Sequence, residues 1–391
     1  MDNQADGQYA RGVDSRKGGY GKIFTAVEPA VFPHAFCKIY IDPDFGFAFS
    51  KHSDGVGSKS AQRYIHAMET GDYSVFEGDA DDGFVMNAAD VACAGLLDAM
   101  VFTDMVDINQ LYVDKKRYLA ALNAGFERIK KVYAAHGILV LFAGGETADL
   151  VDQTKTVIFN GDIYARANDP RKVVTCERIA PGDVIFGFRS GGDCALEANL
   201  NSGLMSNGLT GGRHDLMHAD YGKKYPETID LRGDPYKGRF RIGDVPTGLG
   251  MEVSEALMSP TRHFPLIVKR LLEACGDEIH GIVMNTGGGQ TKCTRVGKGL
   301  QYIKMALPEP DPIFMLIHEE SGRSWRNMYQ GFNCGIGLDV MARPEMTKTI
   351  LGVAHEFDVG CTPLGECQAS KDGKNHLHVD SVFGQFDYDE E

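Results

Sequence analysis

A strand-like run, Phe45-Gly46-Phe47-Ala48-Phe49, leads into Ser53-Asp54-Gly55-Val56-Gly57-Ser58-Lys59, and a helix-like stretch from Ala61 to Met68 follows. Strand, glycine turn and helix in that order restrict a chain to folds that mix sheets with helices and place loops at strand ends. Two glycines permit a tight turn and close approach of the backbone to a ligand. The acid at its start suits a divalent cation; the hydroxyl and ammonium at its end suit phosphate oxygens. The leading glycine of a Walker A loop is absent, so the stretch reads equally as a nucleotide-phosphate site and as a plain turn.

The rest of the chain has the same mixed character. Leu119, Leu122, Phe126, Ile129 and Tyr133 recur at helical spacing between Asp114 and His136, with Gly137 behind them as a stop signal. A buried strand, Ile138 to Phe142, runs from there into Gly144-Gly145-Glu146-Thr147, a second candidate ligand loop. Met100 to Val106 and Thr156 to Ala165 read as further strands. Asp90 lies on a small-residue helix and Asp104 on a strand, and a buried carboxylate there must be paired or hold a metal. Asn168 to Lys172 is polar and turn-rich, which places a domain boundary after 172. Beyond it, Ile282 to Met284 feeds Thr286-Gly287-Gly288-Gly289, whose bare backbone amides form an anion nest.

Some segments invite plain readings. Glu77 to Asp82 reads as an acidic turn, with Asp81 and Asp82 as solvated surface. Residues 203–250 are glycine-rich and low in apolar content, so a solvated mobile loop is expected, with a cation-bearing lid as the alternative. Residues 1–44 read as an irregular arm. Cys334 has no Cys-His-Asn context and takes a structural role, and His376-Leu377-His378 reads as strand surface.

Composition excludes several functions. A formal net charge of -14 disfavours nucleic acid and anionic membranes as partners. No apolar run is long enough to span a bilayer, and the first residues lack a secretory pattern. Nine scattered cysteines without a Cys-x-x-Cys pair indicate free thiols in a reducing cytoplasm.

Taken in order, Asp54 to Lys59, Gly144 to Ala148, Ser206-Asn207-Gly208, Ser259 to Arg262, Thr286 to Gly289 and Phe332 to Gly337 resemble the phosphoribosylformylglycinamidine cyclo-ligase (aminoimidazole ribonucleotide synthetase) family. Tyr9 to Asp14 is similar to the family's opening. The chain departs from that pattern at Ser58, Ala89, Ala94 to Ala99, Met284 and Gln330-Gly331. The resemblance implies a two-domain α/β (α+β) fold. Residues 1–172 would bind ATP and contribute a small sheet to a dimer-spanning barrel; residues 173–391 would complete the cleft with a mixed sheet flanked by helices. It implies ATP and Mg²⁺, a ribonucleotide substrate, a homodimer, and ATP-dependent ring closure of formylglycinamidine ribonucleotide to aminoimidazole ribonucleotide. The alternative is another ATP-dependent activating enzyme or kinase of the same superfamily.

By position, the resemblance implies catalytic roles for Lys59, Asp54 and Glu146, with Lys59 neutralising phosphate; as a loop lysine, Lys59 is expected to be exposed. Gly55, Gly57, Ser58, Asp90, Gly144, Gly145 and Thr147 would contact the nucleotide. Asp54, Asp90 and Asp104, with Asp82 as a further candidate, would hold the metal. Asn207, Thr286, Gly287, Gly288 and Gly289 would face the substrate.

Overall fold

A computed structural model describes residues 26–230 and 232–389. The expectation for Tyr9 to Asp14, and most of that for the 1–44 arm, falls outside these residues.

The first sheet and its helices are formed by β1 (Tyr40–Ile41), β2 (Ala48–Gly55), α1 (Lys59–Thr70), α2 (Glu77–Cys93), β3 (Ala99–Ile108), α3 (Lys115–Ala135), β4 (Leu139–Asp149) and β5 (Val157–Ala167). Its strand order is β1-β2-β5-β3-β4, antiparallel apart from the β3–β4 pair. The predicted amphipathic helix is α3. Asp114 caps it by accepting the Arg117 N–H at 3.1 Å, and Gly137 follows it at φ +71°. Leu122, Ile129 and Tyr133 are buried, each contributing about 1.5–3 kcal/mol if fully transferred from water. Phe84, Phe102, Phe126, Phe142 and Tyr133 fill the space between helices and sheet in edge-on and tilted contacts. On the opposite sheet face Met105, Leu139, Leu141 and Ile158 are exposed.

The second sheet uses later residues: β6 (Val184–Arg189), β9 (Ile279–Met284), β10 (Leu300–Lys304), β11 (Ile336–Ala342), β12 (Cys361–Ala369), β13 (His376–Ser381) and β14 (Gly384–Asp389), in the order β14-β13-β10-β12-β6-β11-β9. A short hairpin, β7 (Gly191–Gly192) and β8 (Asn201–Ser202), precedes α4 (Leu209–Leu216) and α5 (Ala219–Lys224). The remaining helices are α6 (Val253–Met258), α7 (Phe264–Cys275), α8 (Pro312–Ser321), α9 (Trp325–Gly331) and α10 (Thr347–Glu356). Pro260 lies between α6 and α7, and Pro265 sits in the first turn of α7, where its missing N–H costs nothing.

Four expectations are corrected. The first predicted strand begins at Ala48 and continues through Ser53-Asp54-Gly55, because β5 pairs with that whole segment. Glu77 to Asp82 is the first part of α2, not a turn, and Asp79, Asp81 and Asp82 are buried against cationic partners. Gly144 to Asp149 stays in β4 because β3 supplies ladder partners as far as Asp149. Residues 203–250 are no solvated loop. Leu204, Met205, Leu209, Leu216, Met217, Tyr221 and Tyr236 are buried, and Tyr64 on α1 donates to Glu227 at 2.5 Å. Their apolar residues are too sparse to show periodicity, yet they find a ready-made surface on α1.

Candidate active site

The glycine motif bridges strand and helix. Val56 is buried, Gly57 is exposed at φ +68°, and Ser58 is the N-cap residue of α1. Ser58 does not cap with its side chain; its Oγ instead accepts from Thr210 Oγ1 at 2.9 Å, across to the second half of the chain. A Cβ on Gly55 would run into the Asn160 side chain, which would have to move to admit it. The exposed Asp54 carboxylate accepts from its neighbour, the Gly55 N–H, at 2.8 Å.

Strand register sets the acids. Asp54 and Asp104 both pair with Gly161, from opposite sides, so the two carboxylates share one sheet face over a residue with no side chain. Gly145 pairs with Asp104 on its other side, and a Cβ on Gly145 would collide with the Asp104 carboxylate. Burial raises the Asp104 pKa above the usual carboxylate value. Asp90 lies apart from this pair in chemistry: it meets His52 Nε2 at 3.2 Å. His52 Nδ1 contacts Asn87 Oδ1 at 3.0 Å, and Asn87 Nδ2 donates to the Asp54 and Gly83 carbonyls. Among the described residues no three His, Cys, Asp or Glu side chains are grouped to hold a metal. The three expected acids are thus a pair and a histidine partner. Glu146 pairs with Met105, so alternation turns it to the opposite face, exposed, with Thr147 one position further on. Gly144 precedes this row at φ +86°.

Lys59 differs most from expectation. It is fully buried, not exposed. Its ammonium donates to Asp82 Oδ1 at 3.0 Å, to the Ser259 carbonyl at 2.7 Å and to the Leu204 carbonyl at 3.4 Å. Those three acceptors use all three donors of the group. Burial lowers the Lys59 pKa; burial also pushes Asp82 up, but the adjacent Lys59 and Arg63 charges outweigh it and hold Asp82 below its ordinary value. A lysine four residues before Arg63 on a helix, with acids one turn apart on α2, was the available signal for this cluster.

Two loops of the second half come together on one turn. Asn207 Nδ2 donates to the Gly331 carbonyl at 3.1 Å. Gly289, at φ +51°, packs so closely on the Phe332 carbonyl that a Cβ has no room. The Ser206–Gly208 loop and the triple-glycine loop therefore meet on the same turn, 331–332. Asn207 Oδ1 and Ser206 Oγ are buried without a hydrogen-bond partner, a pattern that marks a place for a ligand or water. The sequence reading missed Lys292 and Arg295, which flank Gly288; Lys292 Nζ lies 3.4 Å from Thr286 Oγ1. Cys334 is buried and burial drives its thiol pKa well up, consistent with a packing role.

No family model matches the chain. Among solved structures, T. maritima PurL complexed with ADP aligns with a TM-score of 0.56 at 13% identity, over 98% of this chain and 50% of that one. Thiamine monophosphate kinase from Aquifex aeolicus aligns with a TM-score of 0.51 at 12% identity, over 93% and 95%. The fold is the two-sheet α/β class that these proteins share. Within it, the chain is a divergent relative of the phosphoribosylformylglycinamidine cyclo-ligases, a group of ligase enzymes. The Methanococcus maripaludis (strain C6) enzyme is 27% identical over 327 residues, covering 81% of this chain and 77% of that protein. The Methanocaldococcus jannaschii enzyme is 27% identical over 320 residues, covering 80% and 76%. No helix among the described residues is long and apolar enough to cross a membrane.

Proposed function

We propose that the chain is an ATP-dependent cyclo-ligase that converts formylglycinamidine ribonucleotide to aminoimidazole ribonucleotide, releasing ADP and phosphate, with residues 1–172 and 173–391 as its two domains. One observation supports this above the others. The Asp54–Ser58 turn and the 206–208 loop are joined through Ser58 and Thr210, and buried polar atoms at Ser206 and Asn207 have no partner.

In this reading the nucleotide phosphates lie along Gly55, Gly57 and Ser58. Asp54 and Asp104 fit Mg²⁺: both are oxygen donors on one face, and neither makes an ion pair among the described residues, whereas Asp90 is committed to His52. Bound there, the ion would neutralise charge on the transferring phosphoryl group. Thr286, Gly287, Gly288 and Gly289, backed by Lys292 and Arg295, would hold the substrate's phosphate, and Asn207 would orient its amide. The γ-phosphoryl group passes to the amide oxygen, which makes that oxygen a leaving group. The neighbouring nitrogen then attacks the activated carbon, phosphate departs and the ring closes. Chain groups supply position and charge rather than a covalent nucleophile. Glu146, on the other sheet face, is assigned no step in this scheme.

The uncovered face bearing Met105, Leu139, Leu141 and Ile158 supports a homodimer formed sheet to sheet. Incubation with formylglycinamidine ribonucleotide, ATP and Mg²⁺ tests the activity: equal yields of ADP and aminoimidazole ribonucleotide are expected. ADP formed only with a different phosphoryl acceptor would replace this reading.

A further inference from the structure

Helix α1 begins at Lys59, the last residue of the glycine motif, and its inward side chains bind the second half of the chain. Gln62 donates to Ser254 at 3.2 Å and Arg63 to the Met258 carbonyl at 3.1 Å. Lys59 reaches the Leu204 and Ser259 carbonyls, as described. Asp82, on α2, accepts from Lys59, from Arg63, and from both the N–H and the hydroxyl of Thr261 at 2.9 and 2.7 Å. Lys59, Arg63, Asp79 and Asp82 are each at most 1% exposed, and their charges balance two against two. The latch sits one residue from Ser58 on one side and two residues from Ser206 on the other.

We propose that Lys59 is a positioning residue: with Asp82 it latches the Asp54–Ser58 turn to the 204–208 loop, and its ammonium does not touch nucleotide phosphate. The consequence for ATP rests on the nucleotide-site reading above; the latch itself does not. Removing Lys59 leaves the buried cluster with one excess negative charge, Asp82 still held by Arg63, and removing the Asp82 charge leaves the Lys59 ammonium without its carboxylate partner; either change loosens both segments together.

Lys59→Met, Asp82→Asn and the double variant are compared by hydrogen exchange without ligand, and by calorimetric titration with ATP and Mg²⁺. The latch predicts exchange about tenfold or more faster in 54–58 and in 204–208 in both single variants, with the double variant no worse than the worse single one. ATP affinity should fall by a similar factor in each. Thr261→Val, which removes one neutral donor onto Asp82, should raise exchange in the same two segments and weaken ATP binding several-fold, and it keeps the test open where a charge variant does not fold. A large loss of ATP affinity in Lys59→Met with unchanged affinity in Asp82→Asn and Thr261→Val overturns the proposal, as does unchanged exchange in both segments. A wild-type protein that does not bind ATP, with linked exchange intact, sinks the nucleotide reading and leaves the latch standing.

Discussion

Asp104 on β3 and Gly145 on β4 stand opposite each other, and only the missing side chain of Gly145 leaves room for the Asp104 carboxylate. The second glycine of the Gly144-Gly145 motif therefore serves the acid of another strand, whereas a Cβ on Gly144 would meet nothing. Gly145→Ala should cost about 1–3 kcal/mol through overpacking and should cut turnover more than it cuts stability, because it displaces Asp104. Urea unfolding alongside kcat measurements checks this; full turnover in the variant separates Asp104 from the chemistry.

Asp54→Asn and Asp104→Asn should each abolish the difference in ATP affinity measured with and without Mg²⁺. Asp90→Asn should retain it, since that carboxylate answers to His52. Calorimetry at two Mg²⁺ concentrations distinguishes the three variants.

Lys292→Ala is expected to raise KM for the ribonucleotide about tenfold to a hundredfold while kcat changes little, the pattern of lost uniform binding. A fall in kcat at constant KM would move Lys292 from phosphate binding to the reacting centre.

Asp81 gives the acid limb of stability. Burial pushes its carboxyl up, but the His263 hydrogen bond and Arg128, at 2.7 Å, more than offset this and hold the pKa at about 2. A depressed folded pKa stabilises above the unfolded value and is lost as pH falls through the folded one. The difference in unfolding free energy between wild type and Asp81→Asn should therefore be full above about pH 4 and shrink toward pH 2. Chemical denaturation across that range measures it.

Lys304 and Asp339 form a second fully buried ion pair, at 2.5 Å, beneath the triple-glycine loop, and Lys304 also donates to Gln290 Oε1 at 2.8 Å. Lys304→Met alone should cost about 3–5 kcal/mol, because Asp339 is left charged and unpaired. Lys304→Met with Asp339→Leu should recover much of that loss in urea midpoint.

Local pattern carried much of the architecture. The period of Leu122, Ile129 and Tyr133 marks α3, and the strands around Asp104 and Gly161 show in their apolar alternation. Composition misled at Glu77 to Asp82 and at 203–250. Both look polar in a window, and both are buried by partners more than a hundred residues away or by another helix's charges. Lys292 and Arg295 were invisible because a 3₁₀ segment brings them beside Gly288 with no helical or strand period to announce it.

By itself the sequence determined most element types, the positions of the glycine motifs, and the kinship with the cyclo-ligases. Those depend on short-range sterics and on motif order. Only the tertiary structure decided which charged groups are available to a ligand. Lys59 spends its donors inside the protein while Asp54 stays exposed, although they stand five residues apart. Desolvation and pairing are set by whatever packs alongside, and for Lys59 two of the three acceptors come from residues 204 and 259.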